Sequence, residues 1–318
     1  MKIKNKKILI TGGTGFIGSH LTKELAVNNK VWVLDRIKKE NQPGVVFIKS
    51  DLTKKHSLSF LDRIKFDYIF HLAGNADLNF ASKHPIDDFN MNAGATLFLL
   101  EKIKSLKSRP KFVFASSVTV YGKCADSKLK ENRSLTIPLS NYGVSKLAAE
   151  RYVFAFASQY NIRAISLRIF STYGPGLKRQ VIYDFIDKLN SNSNQLEILG
   201  DGSQARDMVY IDDQIKNIIK IAQKAFYKGE VYNLCSGNLY TTKELAHCVV
   251  LAMKMRPKLV FTNKIRVFDG QSWRGDSSII KKMGCSTPTS LSTGIKKTVL
   301  WYMKEIKALN NTNHKKII

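Results

Sequence analysis

The stretch ILITGGTGFIGSHL, residues 8 to 21, constrains this chain more than any other. An apolar, β-branched run breaks into Gly12, Gly13, Gly15 and Gly18 and continues with helical spacing. Read from Gly13 it is GxGxxG, and read from Gly12 it is GxxGxxG. Glycines between a strand and a helix permit a tight turn, let the backbone approach a ligand, and let the helix lie close to the strand. The helix amide groups and dipole then face an anion such as a pyrophosphate. The pattern predicts a dinucleotide-binding βαβ unit.

The rest of the amino-terminal half repeats the alternation. Apolar runs at 6–11, 30–35, 45–51, 66–74, 111–117 and 163–170 read as strands, and helical spacing is clear at 16–29, 92–106 and 140–160. Continuous apolar strands separated by helices imply a parallel sheet covered on both faces, the doubly wound α/β class. Near TYGPGLKRQ, residues 172 to 180, the regularity ends. One later run, GEVYNLCSG at 229–237, reads as a strand able to rejoin the sheet. The expected organisation is a Rossmann-type sheet domain over 1–173, with 208–235 rejoining it, and a smaller interleaved α+β substrate domain over 174–318.

Composition bounds the rest. A chain of 318 residues with 44% hydrophobic residues can bury a large core. Its apolar runs fall short of the roughly 18 to 20 residues of a membrane span, and MKIKNKKILI lacks a secretory signal's apolar stretch, so a cytoplasmic protein with no membrane partner is expected. Cys124, Cys235, Cys248 and Cys285 show no CxxC spacing and read as reduced packing residues; no metal site is expected. The formal charge of +26 comes from basic residues scattered along the chain rather than gathered on one segment. It reads as a lysine-rich solvated surface that attracts anionic substrates, with no nucleic-acid partner.

Asp35 closes the second strand 17 positions after Gly18, near the roughly 20-residue spacing of an acid that accepts both ribose hydroxyls of an adenosine. Such a carboxylate repels a 2′-phosphate, which favours NAD over NADP; Arg36 beside it could accommodate that phosphate and leaves NADP open. Asp51 and Leu52, after the third strand, are placed either to border the adenine or simply to cap a helix. Tyr142 and Lys146 in NYGVSK stand four apart on one face of a helix. A phenol of pKa about 10 is a poor base at neutral pH, and a neighbouring ammonium stabilises its phenolate.

With TGGTGFIGSH, HLAG (71–74), NAGATLFLLE (92–101), SSVTVYG (116–122), YGVSK, LRIFSTYGPG (167–176), GDGSQARDMVYIDD (200–213) and VYNLCSG in this order, the chain resembles the extended short-chain dehydrogenases/reductases. Specifically, it resembles their NAD-dependent nucleotide-sugar epimerases and dehydratases. The resemblance covers almost the whole chain and implies a catalytic base at Tyr142 and a nicotinamide-ribose ligand at Lys146. It places Ser117 at the reacting sugar hydroxyl and Ser116 nearer the cofactor. Further cofactor contacts are implied at Gly12, Gly15, Phe16, Ile17, Gly18, Leu72, Ala73, Gly74 and Phe170, with Asn92 supporting the helix behind. Ser171, Arg206 and Arg266 fall at substrate positions, the two arginines on a diphosphate, which suits their planar forks.

Two departures bear on the chemistry. Family dehydratases carry an Asp-Glu pair directly after the catalytic hydroxyl, where this chain has Val118 and Thr119. Loss of water by that route is therefore disfavoured, and a nucleotide-sugar 4-epimerase with tightly bound NAD is expected; a nucleotide 4-ketosugar reductase or sugar dehydrogenase is the alternative. Ser171 also replaces a frequent family Asn, which leaves the sugar open. The apolar segments ATLFLL and AAERYVFAFA, paired into a four-helix bundle in the family, imply a homodimer.

Overall fold

The computed structural model describes residues 3–37, 42–123, 127–262, 264 and 272–314. In chain order the elements begin β1 (Lys7–Thr11), α1 (Phe16–Ala26), β2 (Lys30–Asp35), β3 (Val45–Lys49), β4 (Tyr68–His71), α2 (Leu78–Lys83), α3 (Pro85–Phe89), α4 (Ala95–Ser105), β5 (Lys111–Ser117), α5 (Asn141–Tyr160) and β6 (Ala164–Ile169). There follow β7 (Ser171–Tyr173), α6 (Gln180–Ser191), β8 (Gln195–Ile198), β9 (Ala205–Tyr210), α7 (Ile211–Lys224), β10 (Lys228–Leu234), β11 (Leu239–Thr241), α8 (Thr242–Met253), β12 (Lys258–Phe261), α9 (Ser278–Lys282) and α10 (Leu291–His314). Among the described residues no helix is long and apolar enough to cross a membrane.

The chain divides into two units. The first comprises 1–170, 215–235 and 275–286. Its seven-stranded sheet runs in the order β10-β6-β5-β4-β1-β2-β3 with every pair parallel. Side chains of Ile8, Leu9, Ile10, Val33, Ile69, Phe112, Phe114 and Ile165 are fully or almost fully buried, as a sheet covered on both faces requires. From β1 the chain runs outward through β2 and β3, then returns to add β4, β5, β6 and β10 on the other side. The strand order thus reverses between β1 and β4, where Thr11 pairs with His71. A crevice at the carboxyl ends of strands opens at such a reversal.

The piece 275–286, which no strand or helix periodicity flags, joins this unit through a main-chain bond at Asp276 and side-chain bonds from Asn217 and Lys220 to the carbonyls of Ser286 and Gly284. Asp276 N–H donates to Leu129 O at 2.9 Å, and the Asn233 amide donates to the same carbonyl at 2.9 Å. The helix expected over 92–106 is also different: a π turn at Asn90–Gly94 links α3 to α4. Asn92 is held there by side-chain bonds, which hydrophobic spacing does not report.

Inside this unit the Arg168 guanidinium clasps Glu150 through Nε (3.1 Å) and Nη2, both side chains being 3% exposed. Arg168 also lies 4.6 Å from the centre of the Tyr121 ring, whose hydroxyl donates to Asn233 on β10 at 2.8 Å. The bonds tie α5, β6 and β10 together in a medium where an unpaired charge is costly.

The second unit comprises 171–214, 236–274 and 287–318. It holds a three-stranded sheet, β11-β9-β7, and the parallel pair β12-β8. Helices α6, α8 and α10 contribute Phe185, Ile186, Leu189, Leu245, Val249, Ile295 and Val299 to its core.

Glu150→Ala would strand the buried guanidinium and is expected to cost about 3–5 kcal/mol of stability in urea unfolding. Glu150→Leu combined with Arg168→Met should recover most of that loss; a single variant as stable as the parent would contradict the pairing.

Candidate active site

The first turn is shaped by close approach. Gly12 has φ 71°, and a Cβ there would sit 2.6 Å from Ala73 N; a Cβ at Gly18 would sit 2.1 Å from Gly12 O. Only glycine lets α1 begin this close to β1 and β4. Gly15, by contrast, is exposed, and it opens α1 with no side-chain cap and no acidic residue in the first turn. The amide groups at this helix end are left to an anion. Phe16 and Ile17, in that turn, are half-buried.

Asp35 has a task the spacing argument does not reveal. Its Oδ2 accepts from Thr14 N (3.0 Å) and Thr14 Oγ1 (2.7 Å), which fastens the glycine turn to the end of β2. The neighbouring Arg36 is exposed. Asp51 accepts from Thr53 N and Oγ1 at 3.0 and 2.8 Å. Burial raises its pKa, but these bonds and the nearby Arg36 and Lys54 hold it below the usual carboxylate value. Leu52 packs in the core.

The opposite wall is the face of α5 against β5. Ser140 caps the helix, accepting from Gly143 N at 3.1 Å. A Cβ on Gly143 would lie 2.8 Å from Thr119 O, so the first turn of α5 presses on the loop that follows Ser117. Residues 142, 146 and 150 then fall on one face. Lys146 Nζ donates to Ala115 O at 3.1 Å, and Glu150 Oε2 accepts from Ser116 Oγ at 2.8 Å. Ser116, expected nearer the cofactor, thus spends its hydroxyl on a buried glutamate. Ser117 Oγ accepts from Thr119 N at 3.2 Å and Thr119 Oγ1 at 2.9 Å, so the hydrogen of its own hydroxyl is what it offers outward. Tyr142, Lys146 and Ser117 are all buried, at 9%, 4% and 7% exposure. Burial brings the Lys146 ammonium down to about 8, with Asp88 partly opposing the shift.

Asp88 is absent from any sequence motif and is fully buried. It accepts from Asn75 Nδ2 (2.7 Å), Asn92 Nδ2 (3.0 Å) and Ser145 Oγ (2.6 Å). Its one readable trace is the i, i+4 spacing to Asn92. Asn92 Oδ1 stays without a partner although buried, and a Cβ at Gly74 would meet it at 2.3 Å. Gly74 adopts φ 148°. Leu72 and Ala73 before it are half-buried, and Phe170 after β6 is buried.

In the second unit Arg206 donates to Ala205 O at 2.9 Å and stacks its guanidinium 5.3 Å from the centre of the Trp273 ring. Arg274 Nε donates to Gly237 O at 2.7 Å. Ser171 is half-buried at the start of β7. Arg266 lies outside the described residues.

These residues fit a bound dinucleotide. The uncapped end of α1, the glycine turn and the orphaned Asn92 oxygen beside Gly74 and Lys146 are what a pyrophosphate and a nicotinamide ribose would use. Comparison with known proteins agrees. A sequence profile of the NAD dependent epimerase/dehydratase family matches residues 8–235. A putative UDP-glucose 4-epimerase of Methanocaldococcus jannaschii is 31% identical, over 92% of this chain and 97% of its own length. The UDP-glucuronic acid 4-epimerase of Bacillus cereus, solved with UDP-glucuronic acid and NAD, superposes with a TM-score of 0.85 at 27% identity, over 94% of this chain and 99% of that one. The UDP-glucose 4-epimerase of Thermotoga maritima, solved with UDP-glucose, gives 0.86 at 26%, with the same coverage.

Because Lys146 falls from its ordinary 10.5 to about 8 in the folded protein, the unfolded chain binds a proton that the native chain lacks between those values. Stability therefore gains from this group as pH rises through that window. Lys146→Met should abolish that increment in unfolding free energy between pH 8 and 10 while cutting turnover by about a hundredfold or more. An unchanged pH profile of stability would place the ammonium in water.

Proposed function

The chain belongs to the NAD dependent epimerase/dehydratase family, and on that premise we propose that it is a nucleotide-sugar 4-epimerase. The observation that carries this reading is the loop after Ser117. Val118 is buried and Thr119 gives both its N–H and its hydroxyl to Ser117. Neither can withdraw a proton at C5 of the sugar or protonate a leaving hydroxyl at C6. Chemistry at C4 remains.

In this reading Tyr142, as phenolate, accepts the proton of the C4 hydroxyl, and Ser117 orients that oxygen with its free O–H hydrogen. The Lys146 ammonium, charged below about 8, favours the phenolate; its bond to Ala115 O keeps it at the strand end. When bound, NAD would be held by the glycine turn and Asp35 and would supply reversible hydride acceptance at C4. Tyr142 would return the proton to the C4 oxygen whichever face of the sugar is presented, so no second acid is needed. Arg206 is assigned the diphosphate, and Ser171 a contact near it. The names of the relatives support a uridine diphosphate hexose or hexuronic acid as the substrate class.

A homodimer is proposed on α4 and α5, where Phe98, Val144 and Tyr152 are 40%, 50% and 39% exposed. The unbridged thiols of Cys248 and Cys285, among the described residues, accord with the cytoplasm.

The purified protein is expected to carry NAD and to interconvert C4 isomers of a nucleotide sugar with no added cofactor and no net reduction. A strict need for stoichiometric NADH or NADPH would instead establish the reductase. Tyr142→Phe should lower turnover by about 10²- to 10⁴-fold. Phe98→Asp with Tyr152→Asp should yield a monomer in light scattering; a parent protein that is already monomeric at micromolar concentration rejects the dimer.

A further inference from the structure

His71 is fully buried at the end of β4, between the rings of Phe112 and Phe114, and the mechanism above does not use it. Its two ring nitrogens meet two hydroxyls: Nδ1 lies 2.7 Å from Thr11 Oγ1 and Nε2 lies 3.0 Å from Thr96 Oγ1. The direction of each bond follows from the neighbours. Thr96 Oγ1 gives its hydrogen to Asn92 O at 2.6 Å, so toward His71 it can only accept, and Nε2 must carry a proton. Thr11 Oγ1 already accepts from Ala73 N at 3.3 Å and has its own hydrogen to give, which suits a bare Nδ1. A doubly protonated ring would leave the Thr11 hydrogen without an acceptor in the core. Burial, with Lys146 nearby, pushes the imidazole down to about 3 and keeps it neutral.

We infer that His71 is a positioning residue for the cofactor, locked as the neutral Nε2–H tautomer at the centre of a one-way hydrogen-bond chain. The chain runs from Ala73 N–H through Thr11, His71 and Thr96 to Asn92 O. It connects the last residue before the glycine turn, the Leu72–Gly74 segment and the π turn, the three segments that face a dinucleotide. This inference rests on the reading that those segments hold NAD. Only a group with an acceptor at one end and a donor at the other can close the chain, and an apolar replacement takes the acceptor from the Thr11 hydrogen and the donor from Thr96 Oγ1.

The test has two parts that fail separately. In ¹⁵N-histidine-labelled protein at pH 7, with the His71 signals assigned by their loss in His71→Gln, Nε2 is expected to show the protonated and Nδ1 the unprotonated shift. An Nδ1–H tautomer or an imidazolium overturns the inference whatever the protein binds. NAD affinity is then measured by titrating protein stripped of cofactor. His71→Leu is expected to weaken NAD about tenfold, the equivalent of one lost buried bond, whereas His71→Gln, with an acceptor and donors on one amide, stays within about threefold of the parent. Equal retention in both variants, or equal loss in both, overturns the positioning role. A parent protein that binds no NAD sinks the cofactor reading and the positioning role with it, yet leaves the tautomer assignment to be judged by its spectrum.

Discussion

Everything proposed for this chain depends on how α5 is fastened to the end of β5. Lys146 bonds Ala115 O and Glu150 bonds Ser116 Oγ, so successive turns of the helix hold successive residues of the strand. The Arg168 guanidinium holds Glu150 in place from the far side. A helix held this way cannot slide or roll, and the phenol of Tyr142 one turn earlier inherits that register against Ser117. Buried ion pairs contribute little net stability, but breaking one is expensive, so the arrangement suits registration better than reinforcement.

A second constraint is that polar groups brought into this core have to be paired. Asp88 takes three donors, His71 sits between two hydroxyls, and Asp35 binds the glycine turn through both donors of Thr14. Among the described residues Thr22, Ser166, Gln204, Gln214 and Asn92 have buried side-chain atoms with no hydrogen-bond partner, and of these the Asn92 oxygen lies beside Gly74 and Lys146, where a ligand hydroxyl would reach it. An unsatisfied buried acceptor at such a place is a reservation for a donor.

The absence of an acid after Ser117 is equally physical. Dehydration needs a proton taken and a proton given at neighbouring carbons, and Val118 and Thr119 do neither. One face-to-face exchange at C4 needs only the phenol and the cofactor, which keeps the same protons and hydride in circulation.

The local elements and the chemistry were legible in the sequence. Strand periodicity, the glycines before α1 and the Tyr142–Lys146 spacing are properties of neighbours along the chain, and their positions follow from the geometry of strands and helices. The roles of Asp88, Thr14, Glu150 and His71 were not legible, since apart from Asn92, four residues from Asp88, their partners lie a dozen or more residues away, or 60 in the case of Thr11 and His71. The same holds for Ser116, whose neighbour in sequence is Ser117 but whose bond is to Glu150. Nor does periodicity show why 275–286 joins this unit, because one main-chain bond from Asp276 to Leu129 and side-chain bonds from Asn217 and Lys220 carry it. Sequence by itself determined the strands and most of the helices of the amino-terminal half and which side chains have the chemistry; tertiary structure decided which buried donor meets which acceptor, because that pairing is set by sheet order and packing rather than by distance along the chain.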